Sequence, residues 1–216
     1  MIDGSGQEVI VYLSANHVDD KQSLYRAVAK LHVANLETGF LASLGISFLS
    51  LMYQAIDESP SGVLIMARVP GQDVIGFVSG GGGMGAVYRR MLHHWWRLGV
   101  SLLPALVSPK KLWRIMEVFR YGRRESRSAA PTSIVQEAEL FSIAVDGDHR
   151  GKGIAEALYR ELERHFKANG KPVFKIVVGA TLTTAHRFYQ RMGASAVAQV
   201  EVHHGEISVV YAQTVG

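Results

Sequence analysis

Glu139 to Gly170 reads ELFSIAVDGDHRGKGIAEALYRELERHFKANG, and the fold turns on how these residues are parsed. Leu140 to Val145 is a nearly unbroken apolar run, short enough for a buried strand. The turn formers Asp146, Gly147 and Asp148 follow it at once. Beyond Arg150-Gly151-Lys152-Gly153-Ile154-Ala155, apolar residues recur every fourth position at Ile154, Leu158, Leu162 and Phe166. Glu156, Arg160, Glu161, Arg164 and Lys167 fall on the other faces. Asn169-Gly170 supplies a C-terminal stop. The pattern predicts a strand, a glycine-rich turn and a long amphipathic helix in direct succession, with the helix starting at the glycines.

A helix start of this kind suits an anion. Its first backbone N–H groups have no intrahelical partner, and the helix dipole adds partial positive charge there. Without a Cβ at Gly151 and Gly153 a pyrophosphate can approach the backbone closely, and Arg150 and Lys152 add full charge. The same six residues also fit a tight strand-to-helix turn whose glycines only relieve strain. Two nucleotide motifs are excluded by spacing. No Lys-Ser or Lys-Thr follows the second glycine, as a Walker loop requires, and the three glycines of a dinucleotide fingerprint are missing.

RGKGIA, between an apolar strand and a long helix, resembles the [RQ]-x-x-G-x-[GA] signature of the GNAT superfamily of N-acetyltransferases, with Arg150, Gly153 and Ala155 at the defining positions. Downstream, Phe174 to Gly179 resembles the following strand, and AHRFYQRMGA over 185–194 resembles that family's A-x-x-F-Y-x-x-x-G-F segment. Two positions depart from the family pattern. Leu182 stands where an Asn is frequent, and Ala194 where an aromatic is usual.

The resemblance implies a mixed α/β fold, with a mostly antiparallel central sheet flanked by helices and acetyl-CoA as co-substrate. It places the pyrophosphate on Arg150, Gly151, Lys152, Gly153, Ile154 and Ala155, and the pantetheine arm along the backbone of Ile143, Ala144 and Val145. Glu139 falls where several members carry the general base, with Glu137 in reserve, and Tyr189 where many carry the general acid.

Composition agrees with one soluble domain over residues 1–216. The chain is 48% hydrophobic, enough for a sizeable core, and carries no cysteine, so disulfide and thiolate chemistry are excluded. MIDGSGQEV lacks the basic and apolar regions of a secretory signal, and the expected location is cytoplasmic. The net charge of +4 suits an anionic ligand such as CoA, a membrane surface or nucleic acid, without choosing among them.

Along the chain, Glu8 to Ser14 predicts a first strand, Lys21 to Asn35 a first helix, Leu36 to Gly45 a bend, and Ile46 to Ile56 a second helix ended by Pro60. By resemblance this bend lines the acceptor pocket, which makes His32, Glu37, Phe40 and Tyr53 candidate acceptor contacts. Each also fits an ordinary structural position. Gly62–Arg68 and Asp73–Ser79 predict a hairpin about Val69-Pro70-Gly71-Gln72, and Gly80 to Gly83 reads as a hinge too flexible to continue a strand. The C-terminal part predicts a helix capped by Thr183 or Thr184, then a hairpin of 195–203 and 206–212 turning at His204-Gly205. The pairs His93-His94 and His203-His204 lack a third ligand at metal-binding spacing, so no metal is expected.

A helical insert over about 86–127, between the third and fourth strands, departs from a minimal acetyltransferase. Within 87–127 lie all three tryptophans and ten Lys or Arg against two acids, and Pro104 divides two helical segments. Its apolar runs fall far short of the roughly twenty residues that span a bilayer. Three readings stay open: a helical flap on the core or on a second subunit, a surface for lipid headgroups or a long-chain substrate, and no specific role.

The expected function is acetyl transfer from acetyl-CoA to an amine of a small molecule or peptide, by direct attack. The alternatives are a long-chain or amphiphilic-acceptor transferase and a non-catalytic CoA-binding or membrane-associated module. Nucleic-acid binding is not expected, because no binding motif accompanies the charge.

Overall fold

Strict alternation in Val63 to Ala67 sends Val63, Ile65 and Ala67 to one core cluster and Leu64 and Met66 to another, so the sheet they belong to is covered on both faces. The computed structural model describes residues 8–14, 20–36, 40–93, 96, 99, 138–203 and 206–216. Among these, the strands are β1 Ile10–Leu13, β2 Val63–Arg68, β3 Val74–Gly81, β4 Glu139–Val145, β5 Val173–Gly179, β6 Ser195–His203 and β7 Glu206–Thr214. They form one sheet in the order β1-β2-β3-β4-β5-β7-β6. All neighbours run antiparallel except β4 and β5, which are parallel.

The helices are α1 Lys21–Asn35, α2 Gly45–Asp57, α3 Met84–His93, α4 Ile154–Ala168 and α5 Thr183–Arg191. On one face α1, α2 and α3 pack Val28, Phe48, Leu49, Tyr53 and Met91 against Leu64, Met66 and Phe77. On the other, α4 and α5 pack Leu158, Tyr159, Leu162, Phe166 and Tyr189 against Ile65, Val78, Leu140, Phe174 and Tyr211. Asp57, at the end of α2, ties the first face together, binding the hydroxyls of Ser14 and Tyr25 and the ammonium of Lys21.

The expected mixed α/β class and the element order agree with this architecture, and two local readings need correction. The tetraglycine does not end the strand, because β3 continues through Gly80 and Gly81. A Cβ at Gly80 would sit 2.7 Å from the Glu139 carbonyl oxygen and 2.9 Å from the Phe166 ring, and one at Gly81 would sit 2.9 Å from the Ser61 carbonyl. The glycines are there for close approach. Neither threonine caps α5, since its N-cap is Leu182 with no side-chain bond. The bulk of the insert, residue Glu137 and the turn His204-Gly205 lie outside the described residues. So does residue Glu37 of the bend, while Phe40 to Leu44 form a 3-10 turn.

Candidate active site

β4 and β5 are paired only at Glu139↔Lys175 and Leu140↔Ile176, although each strand is seven residues long. Beyond Leu140 they part. The cause lies on the other side of β4, where Ser79 faces Ser142 but Gly80 faces Leu140. Phe141 is therefore an extra residue, a bulge that bends β4 away from β5 at this point. Phe141 packs on the α1/α2 cluster beside Ala144, while Leu140 and Ile143 pack on the α4/α5 cluster. Past the bulge, the β5-facing backbone of residues 141–145 has no register partner in the sheet. Residues Ile143, Ala144 and Val145 thus line a cleft between parted parallel strands.

The glycine turn stands at the mouth of that cleft, because it follows the C-terminal end of β4. Gly151 and Gly153 have φ of 75° and 76°, the left-handed region that other residues rarely adopt, and nothing lies within 4 Å of the Cβ either would carry. Gly153 is the N-cap of α4 and supplies no side-chain bond, so the first turn keeps its N–H groups uncapped by side chains. Ile154 turns its side chain into the core and Ala155 packs beside it, leaving only their backbone for a ligand. Arg150 does not extend freely. Its Nε donates to the Val145 carbonyl at 3.2 Å and a terminal nitrogen donates to Asn35 Oδ1 at 2.6 Å, which pins the turn to the end of β4 and to the end of α1. Uncapped N–H groups, a cation on Lys152 and open space over two glycines make a cradle that fits a pyrophosphate.

The remaining candidates fall into separate places. Glu139 lies at the other end of β4, roughly 20 Å from Val145 at strand rise, and pairs with the Lys175 ammonium at 3.2 Å. Tyr189 is buried among Tyr159, Phe188 and Tyr211, with ring centroids 6.1, 5.3 and 6.3 Å away. Burial pushes its phenol up, so it holds its proton across the neutral range. By alternation from Leu140, Glu139 points to the α1/α2 face, whereas Tyr189 belongs to the α4/α5 face.

His32 and Tyr53 are brought together. His32 Nδ1 and Tyr53 Oη are 2.6 Å apart, both buried, with Phe77 stacked on His32 and edge-on to Tyr53. Burial lowers the His32 pKa to about 4, leaving the ring neutral. Burial also pushes the Tyr53 phenol up, opposed by Ser142, a neighbour not foreseen from the sequence because 89 residues separate the two positions. Ser79, directly across from Ser142, has a fully buried hydroxyl with no hydrogen-bond partner among the described residues. An orphan of this kind costs about 1–3 kcal/mol. His186, also unforeseen, bridges Tyr211 Oη at 2.8 Å and the Gly179 carbonyl at 3.1 Å, tying α5 to β7 and to the C-terminal end of β5. Among the described residues no three His, Asp or Glu side chains converge as metal ligands, and no helix is long and apolar enough to cross a membrane.

Comparison with known proteins matches this geometry. Residues 123–194 match the model of the acetyltransferase (GNAT) family. No curated protein sequence matches the chain. Among solved structures, an N-acetyltransferase from Staphylococcus aureus Mu50 superposes with a TM-score of 0.59 at 14% identity, covering 97% of this chain and 99% of its own. The ribosomal-protein-S18-alanine N-acetyltransferase from Escherichia coli gives 0.56 at 13%, over 96% and 94%. Arabidopsis thaliana NAA60, solved with acetyl-CoA, gives 0.57 at 15%, over 96% and 99%. The chain therefore has the GNAT acetyltransferase fold, and its residues 123–194 carry the sequence match to that family.

Proposed function

We propose that the chain transfers the acetyl group of acetyl-CoA to an amine by direct attack, with no covalent enzyme intermediate. The observation that carries this reading is that the gap opened where β4 parts from β5 ends, past Val145, at the uncapped, cation-flanked start of α4. The cradle of Gly151 to Ala155 takes the pyrophosphate, and the edge of Ile143 to Val145 that β5 has left, where Arg150 already occupies the Val145 carbonyl, offers hydrogen bonds to an extended pantetheine arm and to the thioester carbonyl. That arm points the thioester along β4 toward the end that holds Glu139. As the C–N bond forms and the C–S bond breaks, Glu139 accepts the amine proton directly or through water. Tyr189 gives its proton to the departing thiolate. Glu139 is held at that end of β4 by its pair with the Lys175 ammonium. Similarity to NAA60, whose structure contains acetyl-CoA, supports the choice of co-substrate.

The test is CoA release from acetyl-CoA in the presence of spermidine, tyramine and an alanine-initiated tetrapeptide. It can be followed with a thiol reagent, since the protein has no cysteine to add background. Turnover with one of these, reduced about a hundredfold in Glu139→Gln and in Tyr189→Phe while acetyl-CoA still binds, is the expected result. Binding without turnover in every case, and no change in either variant, would leave a CoA-binding module instead. A second reading, transfer to or from an amphiphile, draws on Leu92 and Trp96, which are 55% and 60% exposed at the start of the Trp- and Arg-rich stretch. Palmitoyl-CoA turned over faster than acetyl-CoA would favour it.

A further inference from the structure

We propose that Asn35 is a positioning residue for the cofactor: it holds the Arg150 guanidinium across the mouth of the cleft, so that the remaining N–H donors meet a phosphate of CoA. This rests on the acetyl-CoA site proposed above. Three observations carry it. First, the guanidinium is fixed at two points on different elements. Nε donates to the Val145 carbonyl at 3.2 Å, at the end of β4, and a terminal nitrogen donates to Asn35 Oδ1 at 2.6 Å, on the last residue of α1. Second, the helix sets which way the Asn35 amide faces. Its Nδ2 donates to the Leu31 carbonyl at 2.9 Å, one turn back, which leaves Oδ1 for Arg150. A flipped amide would set oxygen against carbonyl and N–H against N–H. Third, α1 has no charged cation of its own in the last turn, where the helix dipole is negative. The basic residue there is His32, kept neutral by burial. Arg150 brings that charge from 115 residues away.

A guanidinium has five N–H donors in one plane, and Arg150 uses two of them in these bonds. The others have no partner among the described residues. Arg150 directly precedes the open glycines Gly151 and Gly153, so an anion seated on that turn is the acceptor within the same segment of chain. An arginine free to sample its rotamers loses that freedom when the anion binds, whereas one already held by Asn35 has little left to lose. Asn35 therefore raises affinity without touching the ligand, and the end of α1 becomes part of the cofactor site.

The experiment titrates acetyl-CoA and desulfo-CoA into the full-length wild type, Asn35→Ala, Arg150→Ala and the double variant, with circular dichroism confirming that each is folded. Asn35→Ala should weaken both ligands about fivefold and Arg150→Ala about tenfold, and the double variant should be no weaker than Arg150→Ala, the signature of two residues acting as one unit. Equal effects on the two ligands place the loss at the phosphates, since desulfo-CoA has no thioester. Asn35→Leu, of similar volume and without the amide oxygen, should reproduce the loss and serves where Asn35→Ala does not fold. An unchanged Kd in a folded Asn35 variant, a loss that adds to that of Arg150→Ala, or a loss confined to acetyl-CoA would overturn the inference while leaving the acetyl-CoA site intact. A wild type that binds neither ligand would overturn both.

Discussion

The two faces of the sheet keep their polar groups in different ways. On the α4/α5 face, buried polar groups close in separate pairs: Tyr159 donates to Gln213 at 3.1 Å and Glu163 takes Arg160 at 2.8 Å. Between them the packing is aromatic and aliphatic, with Phe174 5.1 Å from Phe166 and 5.8 Å from Tyr159 between ring centroids. On the α1/α2 face a buried polar pair, His32 with Tyr53, stands in the middle of the layer, and the orphan hydroxyl of Ser79 lies on the same face. One face is a scaffold for the cleft and the other gives up some packing to furnish it.

The contrast breaks most visibly on the scaffold side. Phe174→Ala empties a fully buried site and should cost about 3–5 kcal/mol in urea unfolding, with the acetyl-CoA affinity of the folded fraction retained. On the furnished side the largest effect is pH-dependent. Unfolded, His32 titrates near 6.5, but folded near 4, so both states are neutral above the first value. As pH falls, the unfolded chain gains a proton that the folded ring resists, and stability is lost between those values. The loss between pH 8 and pH 5 is about 2 kcal/mol from this group, and His165, also lowered by burial, adds to it in the same direction. His32→Leu should flatten that slope when urea midpoints are compared at the two pH values.

Tyr53→Phe leaves the buried His32 without its hydrogen-bond partner and should cost about 1–2 kcal/mol by the same measurement. Gly153→Ala meets no steric obstacle, but it forces a side chain into the left-handed region, for about 1 kcal/mol. Smallest of all, Arg191→Ala opens a surface pair with Glu156 whose side chains are 61% and 40% exposed, and should change stability by about 0.5 kcal/mol or less.

What the sequence makes legible follows the same division. Periodicity carries the scaffold: α1 spans Lys21–Asn35 as its spacing predicts, α4 starts behind Gly153, and Asn169-Gly170 ends it with Gly170 at φ 68°. The glycine turn is legible too, because its residues are consecutive and its need for left-handed glycines is local. The furnished face is not. Ser142 reads as a single polar residue in an apolar strand, and only the bulge at Phe141 and the arrival of α2 bring it near the Tyr53 phenol. His32 and Tyr53 are recognisable as helix residues, but their bond depends on two helices crossing the same sheet. Gly80 and Gly81 mislead for a related reason, since what they avoid comes from Ser61, Glu139 and Phe166, invisible in a local window.

The central claim is that the parted strands and the glycine turn form one acetyl-CoA site. The most direct test is calorimetric titration of acetyl-CoA into the wild type and Gly153→Trp, with desulfo-CoA as a thioester-free control and circular dichroism confirming that both proteins are folded. The account predicts saturable binding of acetyl-CoA and desulfo-CoA by the wild type, abolished by an indole in the pyrophosphate cradle. Equal binding by a folded Gly153→Trp, or no binding by the wild type, would contradict it.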